Sequence, residues 1–294
     1  MSARFPMYVG ASGVCRVEDV ELLDLIASRV PAWARVAAGV LVSGHGTMRR
    51  EAELGARYPE ASKVAEIVAR SRRAAPFIHY NSRLDEPLSG QLLSVVRAFP
   101  ELKGIQVNMA SPDPKELAEF KARRPDVELV VQVRHRDAAD AAGFIDRYVG
   151  VADHALLDCS LGTGSAADFE LCSWVVMMHG RRWLDAGVRL GIAGGLGPWS
   201  GPSIRLLERE VADCGMAREL SWDAETGLRY PDQTALSQER CAGYVSAVLR
   251  LPCDWLVSPR TESAPCVAGD AAPARTLPAG DDRADDLGPR GGGR

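Results

Sequence analysis

Short apolar runs alternate with helix-like segments along most of this chain of 294 residues. Each run ends in small or polar residues, which is typical of buried parallel strands that lead into turns. The runs cover residues 7–13, 37–43, 76–81, 104–108, 127–133, 155–157, 188–193 and 219–222. Most of the segments between them carry apolar residues at helical spacing, so the pattern predicts eight strand–helix units.

Helices are expected in the segments that follow these runs. The first carries Val20, Leu23 and Ile26 on one face and acidic residues in its first turn, as the helix dipole favours. Ser111 and Asp113 are both candidate caps for the helix after the fourth strand. Helices are predicted over about 16–30, 62–72, 89–99, 114–124, 138–148 and 235–249.

Repeated strand–helix units favour an α/β fold, a (β/α)₈ TIM barrel over residues 1–258. The alternative is an open doubly wound sheet, which usually has fewer units and a GxGxxG turn after its first strand. The sequence GASG at 10–13 does not match that turn. Residues 259–294 are rich in Ala, Pro, Gly and Asp, and this composition predicts a disordered tail.

Composition narrows the classes of partner. A hydrophobic fraction of 46%, 25% charged residues and a net charge of −4 describe a globular chain with no basic surface for nucleic acid or acidic membranes. Seven dispersed cysteines without a CxxC pair indicate reduced thiols, and no spacing suggests a metal site. We expect a cytoplasmic protein with a small phosphorylated substrate and no cofactor. The oligomeric state is open.

Two turns carry the residues best suited to chemistry. Asp158 follows the sixth run, and Gly194, Gly195 and Gly197 follow the seventh. Glycine allows backbone N–H groups to approach an anion closely, and a helix N-terminus after such a turn favours negative charge. Because the carboxyl ends of barrel strands meet at one face, we expect the carboxylate and the glycine turn to share a pocket.

Several motifs resemble the phosphoribosylanthranilate isomerase family. LLDCSLGTGSAADFELCSW at 156–174 is close to that family's LLD, GGTG and F-x-W pattern, and GIAGGLGPWS at 191–200 is close to its LAGGL-x-P-x-N. FIHYN at 77–81, GIQVN at 104–108 and SGVCRVEDV at 12–20 match less closely. The resemblance extends from about residue 7 to residue 250 and implies the same barrel fold.

The resemblance also implies an Amadori rearrangement, in which a phosphoribosyl-amine opens its ring and an aminoaldose becomes an aminoketose. One group protonates the ring oxygen and another removes the C2 proton, and Asp158 matches the family's general acid. The implied substrate-binding or phosphate-binding positions are Gly162, Gly164, Gly194, Gly195, Ser200, Asn81 and Gln106.

The chain departs from the family pattern at the first strand. Ser12 stands where the family has its catalytic cysteine, and Gly10 replaces an adjoining lysine. Ser12 is therefore the second candidate catalytic residue beside Asp158, although a serine hydroxyl needs another group to deprotonate it. The other interpretation of Ser12 is a small residue that lines the barrel mouth.

Strands two, three and eight leave alternatives open. The family's arginine after strand two is missing, and Arg49 is the candidate replacement. His79 fits a hydrogen-bonded core histidine better than a base. Glu225 and Asp223, at the end of strand eight, are candidates for binding substrate hydroxyls or for serving as the missing base.

Two other functions compete with the isomerase. One is an enzyme that acts on another phosphorylated metabolite, although Schiff-base chemistry is disfavoured because no lysine falls at the carboxyl end of a strand. The other is a non-catalytic or regulatory barrel that binds a sugar phosphate, in which the base has been lost.

Overall fold

A computed structural model describes residues 5–49, 57–83, 85–109, 111–134, 137–158, 167–232, 234–252 and 255–256. The predicted tail at 259–294 lies outside these residues. Within them, no helix is both long and apolar enough to cross a membrane.

The strands form a closed parallel barrel in sequence order, which confirms the predicted (β/α)₈ fold. The first strand closes the ring by pairing with the second and the eighth, so that Gly10 lies between Ala37 and Asp223. The strands are β1 (Tyr8–Ser12), β2 (Arg35–Ser43), β3 (Ala75–Asn81), β4 (Gly104–Val107), β5 (Glu128–Val133), β6 (His154–Asp158), β7 (Arg189–Ala193) and β8 (Ser221–Ala224).

Helices alternate with the strands, and their apolar faces pack on the outside of the barrel. They are α1 (Val17–Ala27), α2 (Ala61–Arg70), α3 (Leu88–Ala98), α4 (Pro114–Arg123), α5 (Ala138–Asp146), α6 (Phe169–Val175), α7 (Arg181–Asp185), α8 (Gly201–Glu210) and α9 (Gln238–Leu249). A π-helical turn, Val176–Gly180, joins α6 to α7. Of the two predicted caps for α4, Asp113 fills the position, and its side chain accepts from the Lys115 N–H at 2.9 Å.

The interior of the barrel at the amino ends of the strands holds a buried charged group. Glu128 on β5 accepts hydrogen bonds from Arg35, and its Oε2 lies 3.0 Å from Nε2 of His154. His154 also packs edge-on against the ring of Tyr8 at 5.2 Å. These contacts explain why β6 begins at His154, one residue before the predicted apolar run, although histidine interrupts the apolar pattern.

The segment after β2 begins with a single π-helical turn, Gly44–Met48. The Ser43 hydroxyl caps this turn by accepting from the Gly46 N–H at 3.1 Å. Arg57 and Tyr58, which precede α2, return to the carboxyl end of the barrel. The loop after β2 therefore contributes side chains to the same face as the strand ends.

Candidate active site

A cavity of about 580 Å³ opens at the carboxyl ends of the strands. Its lining combines polar and apolar side chains, in contrast to the apolar layer between the barrel and the helices. The strands supply the polar side chains through Ser12, His79, Gln106, Gln132, Asp158 and Asp223. This is the face at which (β/α)₈ enzymes carry their active sites.

Asp223, Ser12 and His79 form one hydrogen-bonded cluster at the base of the cavity. The Ser12 hydroxyl donates to Oδ1 of Asp223 at 2.7 Å, and its oxygen lies 3.3 Å from Nε2 of His79. Nε2 of His79 is 3.8 Å from Oδ2 of Asp223. The three residues are only 2 to 6% exposed, so the cluster is nearly dry.

Two glycines make room for this cluster. A Cβ on Gly10 would lie 2.4 Å from Oδ1 of Asp223, and a Cβ on Gly39 would lie 2.5 Å from Oγ of Ser12 and 2.8 Å from Nε2 of His79. Such distances are far shorter than van der Waals contact, so a side chain at either position would displace the cluster. The absence of a side chain at Gly10 therefore allows the Asp223 carboxyl group to lie against β1.

Replacing Gly39 by alanine is expected to destabilise the protein by about 1–3 kcal/mol, because the added methyl group overpacks the space beside Ser12 and His79. Urea unfolding measures this loss. Gly90→Ala is the matched control, since a Cβ on this α3 glycine meets no atom within 4 Å. A Gly39→Ala protein as stable as the wild type would contradict the close packing of Ser12 and His79 against Gly39.

Burial shifts the pKa values of Asp223 and His79 in opposite directions. Burial raises the pKa of Asp223 to about 7, the Ser12 hydrogen bond opposes this rise, and the negative charge of Asp158 adds to it. Burial lowers the pKa of His79 to about 4. Near neutral pH the imidazole is therefore uncharged, while the Asp223 carboxyl group is divided between its protonated and ionised forms.

Asp158 lies at the end of β6 in the wall of the same cavity, and its side chain is buried. Its Oδ2 accepts from Nε2 of Gln132 at 2.5 Å. Oε1 of Gln132 accepts in turn from Nε and Nη2 of Arg134, at 3.0 and 2.7 Å. A chain of hydrogen bonds therefore links the Arg134 guanidinium to the Asp158 carboxylate through one amide.

The glycine turn after β7 lies in the wall next to Asp158. Gly194 and Gly195 line the cavity with φ angles of +106° and +58°, a region in which residues with a Cβ are strained. Ser200, predicted to bind substrate or phosphate, is not among the residues that line the cavity. Its hydroxyl instead accepts from the Gly197 N–H at 2.9 Å and caps the short helical turn Pro198–Ser200.

The predicted Gly162 and Gly164 lie outside the described residues. Asn81 and Gln106 line the cavity as expected, where the Asn81 amide donates to the Tyr58 hydroxyl and Gln106 donates to Oδ1 of Asn108 at 2.8 Å. The structure thus brings two of the predicted polar side chains to the site, each held by another polar side chain.

Arg49, the candidate replacement for the arginine after strand two, is not among the residues that line the cavity. Its guanidinium pairs with Asp85 and Glu86, on the segment that leads into α3. Glu225 does line the cavity, but its carboxylate is paired with Arg57. An ion-paired carboxylate is a poor proton acceptor, so of the two candidate bases at the end of β8, Asp223 has the better environment.

Sequence reasoning missed Gln132, Arg134 and Arg57 as site residues and favoured a core role for His79. A signal for Gln132 was present: it is a polar residue one position before the end of a buried strand. Residues at alternate positions of a strand face the same side, so a polar side chain near the carboxyl end points towards the mouth of the barrel. Among the described residues, no three His, Cys, Asp or Glu side chains are grouped so as to hold a metal ion.

Comparisons with known proteins define the fold and no family. No protein-family model matches the sequence, and no curated protein matches it. A citrate lyase structure from Burkholderia xenovorans LB400 matches with a TM-score of 0.52 and 11% identity, covering 84% of this chain and 78% of that chain. A structure named for spore coat polysaccharide biosynthesis protein E of Chromobacterium violaceum ATCC 12472 matches with a TM-score of 0.54 and 13% identity, covering 90% and 79%.

A mandelate racemase/muconate lactonizing enzyme from Roseiflexus sp. matches with a TM-score of 0.42 and 15% identity, covering 78% of this chain and 56% of that chain, a similarity too low to carry weight. At these identities the first two structures establish a shared barrel fold alone. Nothing in the comparisons singles out phosphoribosylanthranilate isomerase.

Proposed function

We propose that the protein is an enzyme that catalyses an Amadori-type aldose–ketose isomerisation of an anionic, phosphorylated sugar amine, with Asp223 and Asp158 as its acid–base pair. The observation that carries this proposal is the pair of buried carboxyl groups in one cavity, of which Asp223 has its pKa raised to about 7. Groups that transfer protons near neutral pH need a pKa in this range.

The environments of the two carboxyl groups favour different roles. Asp223 lies in the dry Ser12–His79 cluster and retains a proton near neutral pH, whereas the negative charge of Asp158 helps to raise the pKa of Asp223. Carboxyl groups that differ in this way act as an acid and a base. We assign protonation of the ring oxygen to Asp223 and removal of the C2 proton to Asp158, which reverses the role that the family resemblance implies for Asp158.

In this mechanism Ser12 does not replace the family's cysteine as a base. Its hydroxyl donates to Asp223 and so keeps that carboxyl group in position. The neutral imidazole of His79 lies beside the same hydroxyl oxygen. In this scheme Asp158 on β6 takes over the role of the missing cysteine as the base, and Asp223, which lies beside β1 on β8, takes over the role of the acid.

Solvent-deuterium exchange tests the proposed function directly. In D₂O, the purified protein is expected to convert a suitable aminoaldose phosphate into an aminoketose phosphate with deuterium at C1, because the hydrogen removed from C2 exchanges with solvent and C1 is then protonated. NMR detects this exchange across a panel of such compounds. Asp158→Asn should abolish the exchange, because an amide cannot remove the proton. Asp126→Asn, which changes an exposed carboxylate paired with Arg124 outside the cavity, is the matched control and should leave the rate unchanged.

Complementation adds a test of the specific reaction. Growth without tryptophan of a strain that lacks phosphoribosylanthranilate isomerase, lost with Asp158→Asn, would support that substrate. If the protein binds sugar phosphates but exchanges deuterium into none of them, the isomerase hypothesis fails and a non-catalytic barrel that binds sugar phosphates takes its place.

A further inference from the structure

We infer that Arg134 forms an oxyanion-binding subsite on the β4–β5 side of the cavity, one hydrogen-bonded amide away from Asp158, and that a carboxylate or phosphate of the substrate binds there. This inference deepens the proposed function and relies on it for the identity of the substrate. The subsite itself is defined by binding and requires no turnover.

The first step is the charge of Arg134. Its Nε and Nη2 donate to Oε1 of Gln132, which is a neutral amide, and Arg134 forms no ion pair with any residue that the structure describes. A guanidinium has five N–H donors in a planar fork, and these two bonds leave Nη1 and one N–H of Nη2 for a ligand. A guanidinium that has a neutral amide as its partner, and no carboxylate in direct contact, favours an anionic ligand, and the fork fits one with two oxygens.

The second step is the orientation of Gln132. Its carbonyl oxygen accepts from Arg134 while its NH₂ group donates to Asp158, and the reversed amide would place a donor against a donor and an acceptor against a carboxylate. The amide therefore has one orientation that satisfies both neighbours. It holds the Arg134 fork at a fixed position relative to Asp158, which is the condition for positioning a substrate against a catalytic group.

The third step is the adjacent strand end. Gln106 on β4 donates to Oδ1 of Asn108, which leaves the NH₂ group of Asn108 as a donor at the cavity wall. Strands β4 and β5 are paired, with Val107 opposite Val131, so Asn108 and Arg134 follow neighbouring strands. A second donor beside the guanidinium suits an oxyanion with more than one oxygen to satisfy.

The other arginines of the cavity have different partners. Arg57 is paired with Glu225, and Arg240 on α9 donates to the backbone carbonyl of Arg229 at 2.6 Å. Arg240 also forms no ion pair with a described residue, but no hydrogen bond links it to either carboxyl group of the proposed acid–base pair. Arg134 is thus the cation whose position is tied to Asp158.

The test is the affinity of inorganic phosphate and of malonate, measured separately by isothermal titration calorimetry on the full chain. Arg134→Gln is expected to weaken binding of at least one probe by tenfold or more, and Arg134→Lys, which keeps the charge but loses the fork, by a smaller factor. Arg123→Gln removes an equally charged but exposed side chain of α4 and should change neither affinity. Thermal unfolding of each variant checks that it folds.

The two probes distinguish a phosphate from a carboxylate as the group that binds to Arg134. If only the binding of phosphate depends on Arg134, the subsite takes a phosphate. If only the binding of malonate depends on Arg134, the subsite takes a carboxylate. Unchanged binding in Arg134→Gln, or an equal loss in Arg240→Gln, overturns the subsite. If Arg134-dependent binding is found but no deuterium exchange occurs, the proposed function fails and the subsite remains. Deuterium exchange without Arg134-dependent binding would overturn the subsite and leave the proposed function in place.

Discussion

Replacing Asp223 by asparagine is expected to lower the rate of deuterium exchange by roughly 10²–10⁴-fold, the usual contribution of a positioned acid or base. Asparagine keeps the size of the side chain, and its Oδ1 still accepts from the Ser12 hydroxyl, so the cluster should retain its shape. The amide cannot donate the proton that the ring oxygen requires. A single-turnover assay of the variant, with the wild type at equal concentration, measures the loss.

The pH dependence of the wild-type rate reports the role of Asp223. If its protonated form is the acid, kcat/KM falls as the pH rises through about 7, and this limb is missing in Asp223→Asn. Ser12→Ala should move the limb to higher pH, because the Ser12 hydrogen bond lowers the pKa of Asp223. A rate that instead rises through the same pH would exchange the roles and make Asp223 the base.

The barrel could be predicted from the sequence because its strands are buried on both sides. Such strands appear as apolar runs, and their alternation with helical periodicity admits few folds. The ends of the strands were harder to predict where a polar residue is satisfied inside the barrel. His154 was placed outside β6 because its partner, Glu128, lies 26 positions earlier in the chain and contributes nothing to the local pattern.

Contacts between residues that are distant in the sequence also limit what can be predicted of the site. Asp158, Asp223 and Glu225 are candidates because they lie at strand ends, which a barrel brings to one face. Ser12 is a candidate because it stands where the family that the sequence resembles has its cysteine. Their roles depend on partners far away in the sequence. Ser12 and Asp223 are 211 positions apart, so the burial and hydrogen bonding that give Asp223 its pKa could not be inferred from neighbouring residues.

Arg49 and Ser200 show the converse. The family resemblance predicts a role for each from its position relative to a motif, and each has partners close by in the sequence or in the structure. Ser200 caps its own turn through Gly197, and Arg49 pairs with the acidic segment before α3. A motif fixes where a backbone turn occurs, whereas the direction of a side chain depends on the contacts that surround it.

The protonation of Asp223 should also make the protein less stable at alkaline pH. Its folded-state pKa of about 7 lies above the ordinary value of 3.8 for an aspartate, so the folded state binds its proton more tightly than the unfolded state. The stability that this proton confers is fully present below about pH 4. It decreases as the pH rises and is lost above about pH 7, where the buried carboxylate is charged.

Asp223→Asn removes the ionisable group and is therefore expected to stabilise the protein near pH 8, by roughly 3 kcal/mol relative to its effect near pH 4. Urea unfolding of the variant and the wild type at both pH values measures this difference. Asp126→Asn is the control, because its carboxylate is exposed and paired with Arg124, which lowers the pKa of Asp126 to about 2 and gives the opposite sign. An equal effect of Asp223→Asn at both pH values would mean that the pKa of Asp223 is not raised. Asp223 would then not be the acid of this site. A gain in stability near pH 8 together with a loss of turnover is the result expected of a group whose burial is retained for catalysis.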